Sequence, residues 1–72
     1  MGVIEANPKI LGGTPCFAGT RVPVESLFDH LRAGYTIDAF LEQFPTVKRE
    51  QVLAVLDLAR DRIPFEAPRA AG

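Results

Sequence analysis

The stretch from Gly13 to Val24, read Gly-Thr-Pro-Cys-Phe-Ala-Gly-Thr-Arg-Val-Pro-Val, most constrains what this chain can fold into. Gly13 and Gly19 can take the positive φ that a chain reversal requires, and Pro23 has the φ of a first helical turn. The stretch therefore predicts a tight hairpin that leads directly into a helix.

The residues before this helix form a β arm, predicted over 1–22. Its three short apolar pieces alternate with turn signals of the Asn-Pro and Gly-Gly type, a pattern that favours two or three short strands. An isolated hairpin is marginal in water, so the arm must pack on the helices or pair with a second chain. The apolar pieces are Val3-Ile4, Lys9-Ile10-Leu11 and Cys16-Phe17-Ala18.

Two helical patterns follow the arm. The first runs from about Pro23 to Ala33 and is ended by Gly34, and the second begins after Thr36 as N-cap and stops at Pro45. In each, apolar residues recur at i, i+3, i+4 and i+7, which predicts one buried stripe per helix. The stripes comprise Val24, Leu27, Phe28 and Leu31, and then Ile37, Phe40, Leu41 and Phe44.

A third helix is predicted from near Thr46–Lys48 to about Arg62, before Pro64. Its buried side comprises Val52, Val55, Leu56, Ala59 and Ile63. Leu53 and Leu58, with Phe65 beyond the helix, lie outside this stripe. They either widen the core against the β arm or form an apolar patch for a partner.

The expected fold class is α+β and mainly α, with a short N-terminal hairpin followed by three helices over 23–63. The tight corner between helices two and three is typical of a helix-turn-helix, and a plain three-helix bundle is the alternative. We expect one domain over 1–64 and a poorly ordered tail over 65–72, which lacks periodicity.

Size makes association with another chain an expectation. The chain has 72 residues, and a domain of this size buries only about 60% of its unfolded surface. With one cysteine and one histidine it has neither an internal disulfide nor the ligands of a closed zinc site, so no metal or cofactor is predicted. We therefore expect a homodimer or a complex.

Charge and hydropathy restrict the partners. Eight Lys and Arg stand against nine Asp and Glu, a net charge of −1, which is not typical of a general nucleic-acid binder. No apolar run reaches the length of a membrane span, and no signal pattern opens the chain. A lone thiol without an export signal predicts a cytoplasmic protein.

The sequence contains no motif that predicts an enzyme. Phosphate loops, paired carboxylates and metal clusters are absent from the sequence. A Cys16–His30 pair lacks a motif that would orient it. Cys16 is instead expected to be a small buried group, and His30, opposite the stripe of helix one, an exposed residue.

The chain resembles the domain of unknown function 433 family in several motifs. They are Asn7-Pro8, Gly13-Thr14-Pro15, Gly19-Thr20-Arg21-Val22-Pro23-Val24, Ala33-Gly34-Tyr35-Thr36 and Phe44-Pro45, spread over about residues 4–63. The resemblance implies a homeodomain-like helix-turn-helix with an N-terminal β element. The family often has Lys where Thr14 stands, and Leu-Thr where Val47-Lys48 stand, so either Thr46 becomes the cap of helix three or that helix starts less firmly.

Some relatives of that family are described as VapB-like antitoxins, which bind a PIN-like nuclease toxin and commonly repress their own operon. The resemblance thus implies an antitoxin-like component of a type II toxin–antitoxin pair. We expect toxin contacts in the tail around Phe65 and Arg69, or on the apolar flank at Leu53. The alternative is a protein-interaction or dimerisation module that does not bind DNA.

DNA contacts, on the helix-turn-helix interpretation, fall at the start of helix three. Lys48, Arg49 and Gln51 occupy its leading turn, which meets base edges in a recognition helix, and Arg21 or Arg32 would touch the backbone. Two features point the other way. The outer face carries acidic groups that repel phosphates, namely Glu50, Asp57 and Asp61, and Arg21 can instead form an internal tie to Glu25 or a backbone carbonyl.

Overall fold

The computed structural model describes residues 2–9 and 11–63, and they form a small antiparallel β element followed by three helices. The expected α+β, mainly helical class is thereby confirmed. The strands are β1 (Ile4–Glu5) and β2 (Cys16–Phe17); the helices are α1 (Val24–Arg32), α2 (Ile37–Gln43) and α3 (Arg49–Asp61).

The middle apolar piece of the β arm is not a strand. Leu11–Gly13 forms a single 3-10 turn, in which Leu11, Gly12 and Gly13 all have positive φ. Three consecutive residues in that region cannot continue an extended strand, because strands require φ near −120°. Ile10 lies outside the described residues.

Strand β2 is paired along both of its edges. On one side it meets β1, with Ile4 opposite Phe17. On the other, the Phe17 N–H donates to the Val22 carbonyl (3.0 Å), and the Val24 N–H donates to the Pro15 carbonyl (3.0 Å). The predicted reversal lies between Phe17 and Val22 and contains Gly19 at φ 76°. The arm is thus held to the start of α1 by backbone hydrogen bonds.

Helix boundaries follow the predicted signals closely. Pro23, predicted in the first turn of α1, is instead its N-cap, with an extended ψ of 139°. Gly34 ends the helix at φ 96°, where the Tyr35 N–H donates to the His30 carbonyl (2.9 Å), as in a Schellman motif. At α2 the Thr36 hydroxyl oxygen accepts from the Ala39 N–H (3.1 Å), so the predicted cap is confirmed.

The start of α3 agrees with the predicted position, but its capping residue differs. Its N-cap is Lys48, not Thr46, and the side chain of Gln51 accepts from the Lys48 N–H (2.9 Å). An acceptor three residues into the helix therefore satisfies the donor at its start, which is one half of a capping box.

The core draws on β2 and on all three helices. Its buried members are Phe17, Leu27, Phe40, Val47, Val52 and Val55. The β arm supplies Phe17, one of the largest buried side chains. Its ring packs against that of Phe40 with the two centroids 6.1 Å apart. Two residues predicted to be buried are not: Phe28 is 38% exposed and Ile63 is 53% exposed. Ile63 lies two residues beyond Asp61, the last residue of α3, and so does not continue the helical repeat that predicted its burial.

The expected poorly ordered tail, with Phe65 and Arg69, lies outside the described residues. Among the residues that are described, no helix combines the length and apolar character needed to cross a membrane.

Candidate functional site

Gln51, in the leading turn of α3, is held by two hydrogen bonds to the backbone. Gln51 is half-buried, and its Oε1 accepts from the Lys48 N–H while its Nε2 donates to the Ala18 carbonyl (3.0 Å). Both ends of the amide are therefore engaged with backbone groups. The tie to Ala18 joins α3 to the β arm across 33 positions of sequence. The apolar repeat of a helix gives no indication of such a long-range contact.

The two basic residues beside Gln51 lie on the surface in different situations. Arg49 donates to the carboxylate of Asp38, an ion pair that links α3 to α2. Lys48 is exposed and forms no ion pair within the described part of the chain. Lys48, Arg49 and Gln51 were predicted to read DNA. Within the described residues the side chains of Arg49 and Gln51 have protein partners, and the ammonium group of Lys48 does not.

Arg21 lies near this end of α3. The turn that carries it borders an open depression of about 590 Å³, lined by Glu5, Gly19, Thr20, Arg21, Val22 and Thr46. Since Thr46 precedes α3 by three residues, the fold brings Arg21 to the corner between α2 and α3. Among the described residues the Arg21 side chain forms neither an ion pair with Glu25 nor a hydrogen bond to a backbone carbonyl, so neither form of the internal tie considered from the sequence is seen. Arg32, the last residue of α1, is exposed and does not line this depression.

The outward face of α3 is acidic, as its pattern predicts. Glu50, Asp57 and Asp61 are exposed, and none of them is paired with a cation in residues 2–9 and 11–63. At about 100° per residue these three carboxylates lie within one narrow stripe. This stripe would repel nucleic-acid phosphates.

Two leucines flank the acidic stripe on opposite sides. Leu53 is 47% exposed and Leu58 is 49% exposed. Five residues of α-helix rotate the side chain by about 140° relative to the first, so the two leucines belong to different surfaces. On the helix surface Leu53 lies beside Arg49 at i−4 and beside Glu50 and Asp57 at i−3 and i+4, and Arg60 lies two turns further along the same side.

The Leu58 side of α3 borders an apolar groove shared with α1 and β1. The groove has a volume of about 290 Å³ and is lined by six apolar residues, Ile4, Val24, Phe28, Val55, Leu58 and Ala59. Arg62 is its one charged lining residue. Phe28 on α1 and Leu58 on α3 are its most exposed apolar members. The sequence did not predict the exposure of Phe28, because the spacing of its stripe indicated burial. Its position at the edge of that stripe was the one sign of a half-open environment.

His30 is half-buried, which corrects the expectation that it is exposed. Its ring packs against three aromatic rings, those of Tyr35, Phe40 and Phe44, at centroid distances of 5.3, 5.4 and 5.4 Å. Nδ1 lies 2.8 Å from the Ser26 carbonyl oxygen, and Nε2 lies 3.1 Å from the Gln43 side-chain oxygen. The imidazole thus connects α1 to the end of α2.

Cys16 is buried, as expected of a small apolar group. Its thiol donates to the Thr14 carbonyl oxygen at 3.3 Å. The described residues contain no group of three or more His, Cys, Asp or Glu side chains arranged to hold a metal ion.

Comparison with known proteins supports the resemblance seen in the motifs. The family model described as "Protein of unknown function (DUF433)" matches residues 4–59, which include the β arm and almost all of the three helices. The chain belongs to the DUF433 family. The matched region ends within α3, before Arg62, so the family's sequence pattern contains most of the groove and the whole corner between α2 and α3.

A curated relative is similar over most of this chain. The uncharacterised protein y4eO of Sinorhizobium fredii (strain NBRC 101917 / NGR234) is 38% identical over 50 residues. The alignment covers 69% of this chain and 23% of y4eO, so the chain spans less than a quarter of that relative's length. No solved structure matches the chain.

Proposed function

We propose that this chain is an antitoxin-like protein that binds a PIN-like toxin through the flank of α3 centred on Leu53. The observation that carries the proposal is the 47% exposure of this leucine in the middle of α3. A large apolar side chain left in water is offset when a partner covers it. The family resemblance supplies the class of partner.

Charge supports a protein partner for this flank. On the side of Leu53 away from the acidic stripe lie Arg49, which is paired with Asp38, and Arg60 two turns along the helix, so the flank has an apolar centre and a cationic edge. An acidic, partly apolar segment of a toxin would complement it. The acidic stripe on the adjacent face would keep phosphates away.

The direct test is co-expression with a PIN-like protein from the genome that carries this chain, sought first in the neighbouring gene, followed by purification of the complex and titration calorimetry. Leu53→Glu is expected to weaken binding at least about 30-fold, as for a central interface residue. Leu58→Glu, a matched change on the opposite flank, should leave toxin affinity near that of the wild-type chain. A wild-type chain that forms no complex with the PIN-like protein overturns the proposal.

Repression through operator DNA is a second candidate function. It is favoured by the approach of the Arg21 turn to the start of α3, where Lys48 is exposed. Arg21 would contact the phosphate backbone and Lys48 the base edges or phosphates. Because Gln51 is engaged with Lys48 and Ala18, it would position this end of the helix and would not read bases.

DNA binding through several phosphates weakens steeply as salt rises, which gives its test. The operator fragment should bind at low salt. Lys48→Glu combined with Arg49→Glu should abolish that binding while a normal circular-dichroism spectrum is retained. An operator fragment that does not shift even at low salt leaves the alternative, a protein-interaction module without DNA binding.

A further inference from the structure

The groove between α1 and α3 is an apolar surface independent of the Leu53 flank. Its two exposed walls are Phe28 and Leu58, and the buried or half-buried residues between them continue into the core. A stable interface buries roughly 800 Å² on each partner, much more than the floor of this groove. Any partner that covers it must therefore also cover its rims.

Both rims carry one group of each sign. On α1, Glu25 and Arg32 lie three residues before and four residues after Phe28. On α3, Asp61 and Arg62 lie three and four residues after Leu58. Residues at these spacings are neighbours on a helix surface, so each apolar wall has a carboxylate and a guanidinium beside it. None of the four groups forms an ion pair within the described part of the molecule.

This charge pattern indicates what kind of partner fits. In a two-fold symmetric contact the same patch meets itself, so rims of a single sign would place like charges opposite each other. A patch with both signs on each rim can pair a carboxylate of one copy with a guanidinium of the other. The acidic stripe of α3 fails this criterion, because it carries only carboxylates and would meet the carboxylates of the other copy.

We propose that the groove walled by Phe28 and Leu58 is the surface through which two copies of this chain form a symmetric dimer. The small core of a 72-residue chain gives a physical reason for such a contact, because the partner would bury the exposed walls. The interface does not depend on the toxin-binding proposal, since it uses the opposite flank of α3.

The experiment compares two leucines of nearly equal exposure on the same helix. Sedimentation equilibrium of the wild-type chain should show a dimer. Leu58→Glu places a carboxylate in the apolar centre of the interface and should raise the dimer dissociation constant at least about 30-fold. Leu53→Glu is the matched control and should dimerise like the wild type. Equal effects of the two substitutions, or a wild-type chain that stays monomeric at millimolar concentration, overturn the proposal.

A measurement on the wild-type chain covers the case in which Leu58→Glu unfolds. Equal amounts of carbon-13-labelled and unlabelled chain are mixed, and isotope-filtered NMR detects contacts between copies. Contacts from the Phe28 ring and the Leu58 methyl groups to the unlabelled copy are expected. A dimer whose contacts between copies come from other residues contradicts the assignment of this face, whatever the outcome of the toxin experiment.

Discussion

The two sides of α3 are tied to their neighbours in different ways. Towards the β arm, half-buried Gln51 donates to the Ala18 carbonyl. Towards α2, Arg49 pairs with Asp38 through side chains that are 56% and 78% exposed. An amide sheltered from water loses much when its partner is removed, whereas an exposed ion pair is screened by solvent. The β-arm side should therefore contribute more to the orientation of α3.

The same comparison applies to the two exposed leucines. Leu53 and Leu58 have almost the same exposure, but Leu58 stands opposite Phe28 across a groove, whereas Leu53 lies between the acidic stripe and two arginines of the same helix. What distinguishes the two surfaces is the neighbouring element, not the leucine. Three stability measurements test how unequal the two sides of α3 are.

The largest effect is expected for Phe17→Ala, which removes the aromatic ring that the β arm places in the core. Truncation of a buried Phe costs about 3–5 kcal/mol, a large part of the about 5–15 kcal/mol that stabilises a typical domain. Urea unfolding followed by circular dichroism measures the loss. Phe28→Ala, at a partly exposed position, should lower the free energy of unfolding much less. A Phe17→Ala chain with wild-type stability would show that the arm is not part of the cooperative core.

An intermediate effect is expected for Gln51→Leu, which keeps the size of the side chain but removes both hydrogen bonds. Leaving the Lys48 N–H and the Ala18 carbonyl unpaired should cost about 1–3 kcal/mol of unfolding free energy. Gln51→Glu separates the two contributions, because it retains the acceptor for Lys48 and loses the donor to Ala18. If Gln51→Glu unfolds at the same urea concentration as the wild type, the tie to the β arm contributes nothing.

The smallest effect is expected for Arg49→Ala. The exposed pair with Asp38 should contribute no more than about 0.5 kcal/mol, and less at high salt. A double-mutant cycle with Asp38→Ala isolates this coupling from the other effects of each substitution. A coupling as large as the loss caused by Gln51→Leu would reverse the ranking of the two sides.

Local signals predicted most of the fold. Gly19, Thr36 and Gly34 act where their chemistry indicates, because a positive φ or a capping hydroxyl concerns only the nearest few residues. The three helices begin and end within two or three residues of the predicted positions. The family resemblance rests on the same turn and cap residues.

Local signals failed where a distant element decides the environment. His30 has a polar ring on the predicted outer side of α1, but Phe44 and Gln43 of the next helical segment cover it. Phe28 matches the buried spacing, but nothing in the described fold closes over it. At the start of α3, Gln51 matched the position of a base-reading residue, whereas the fold engages it with the backbone.

By itself the sequence determined the order and extent of the helices, the reversal at Gly19 and the acidic outer stripe of α3, because each depends on residues within one or two turns of chain. Tertiary structure alone decided which polar side chains are committed to the interior and which of two similar leucines borders a groove. Those outcomes depend on the packing of segments far apart in sequence, since a helical repeat specifies the direction of a side chain but not the element that it meets.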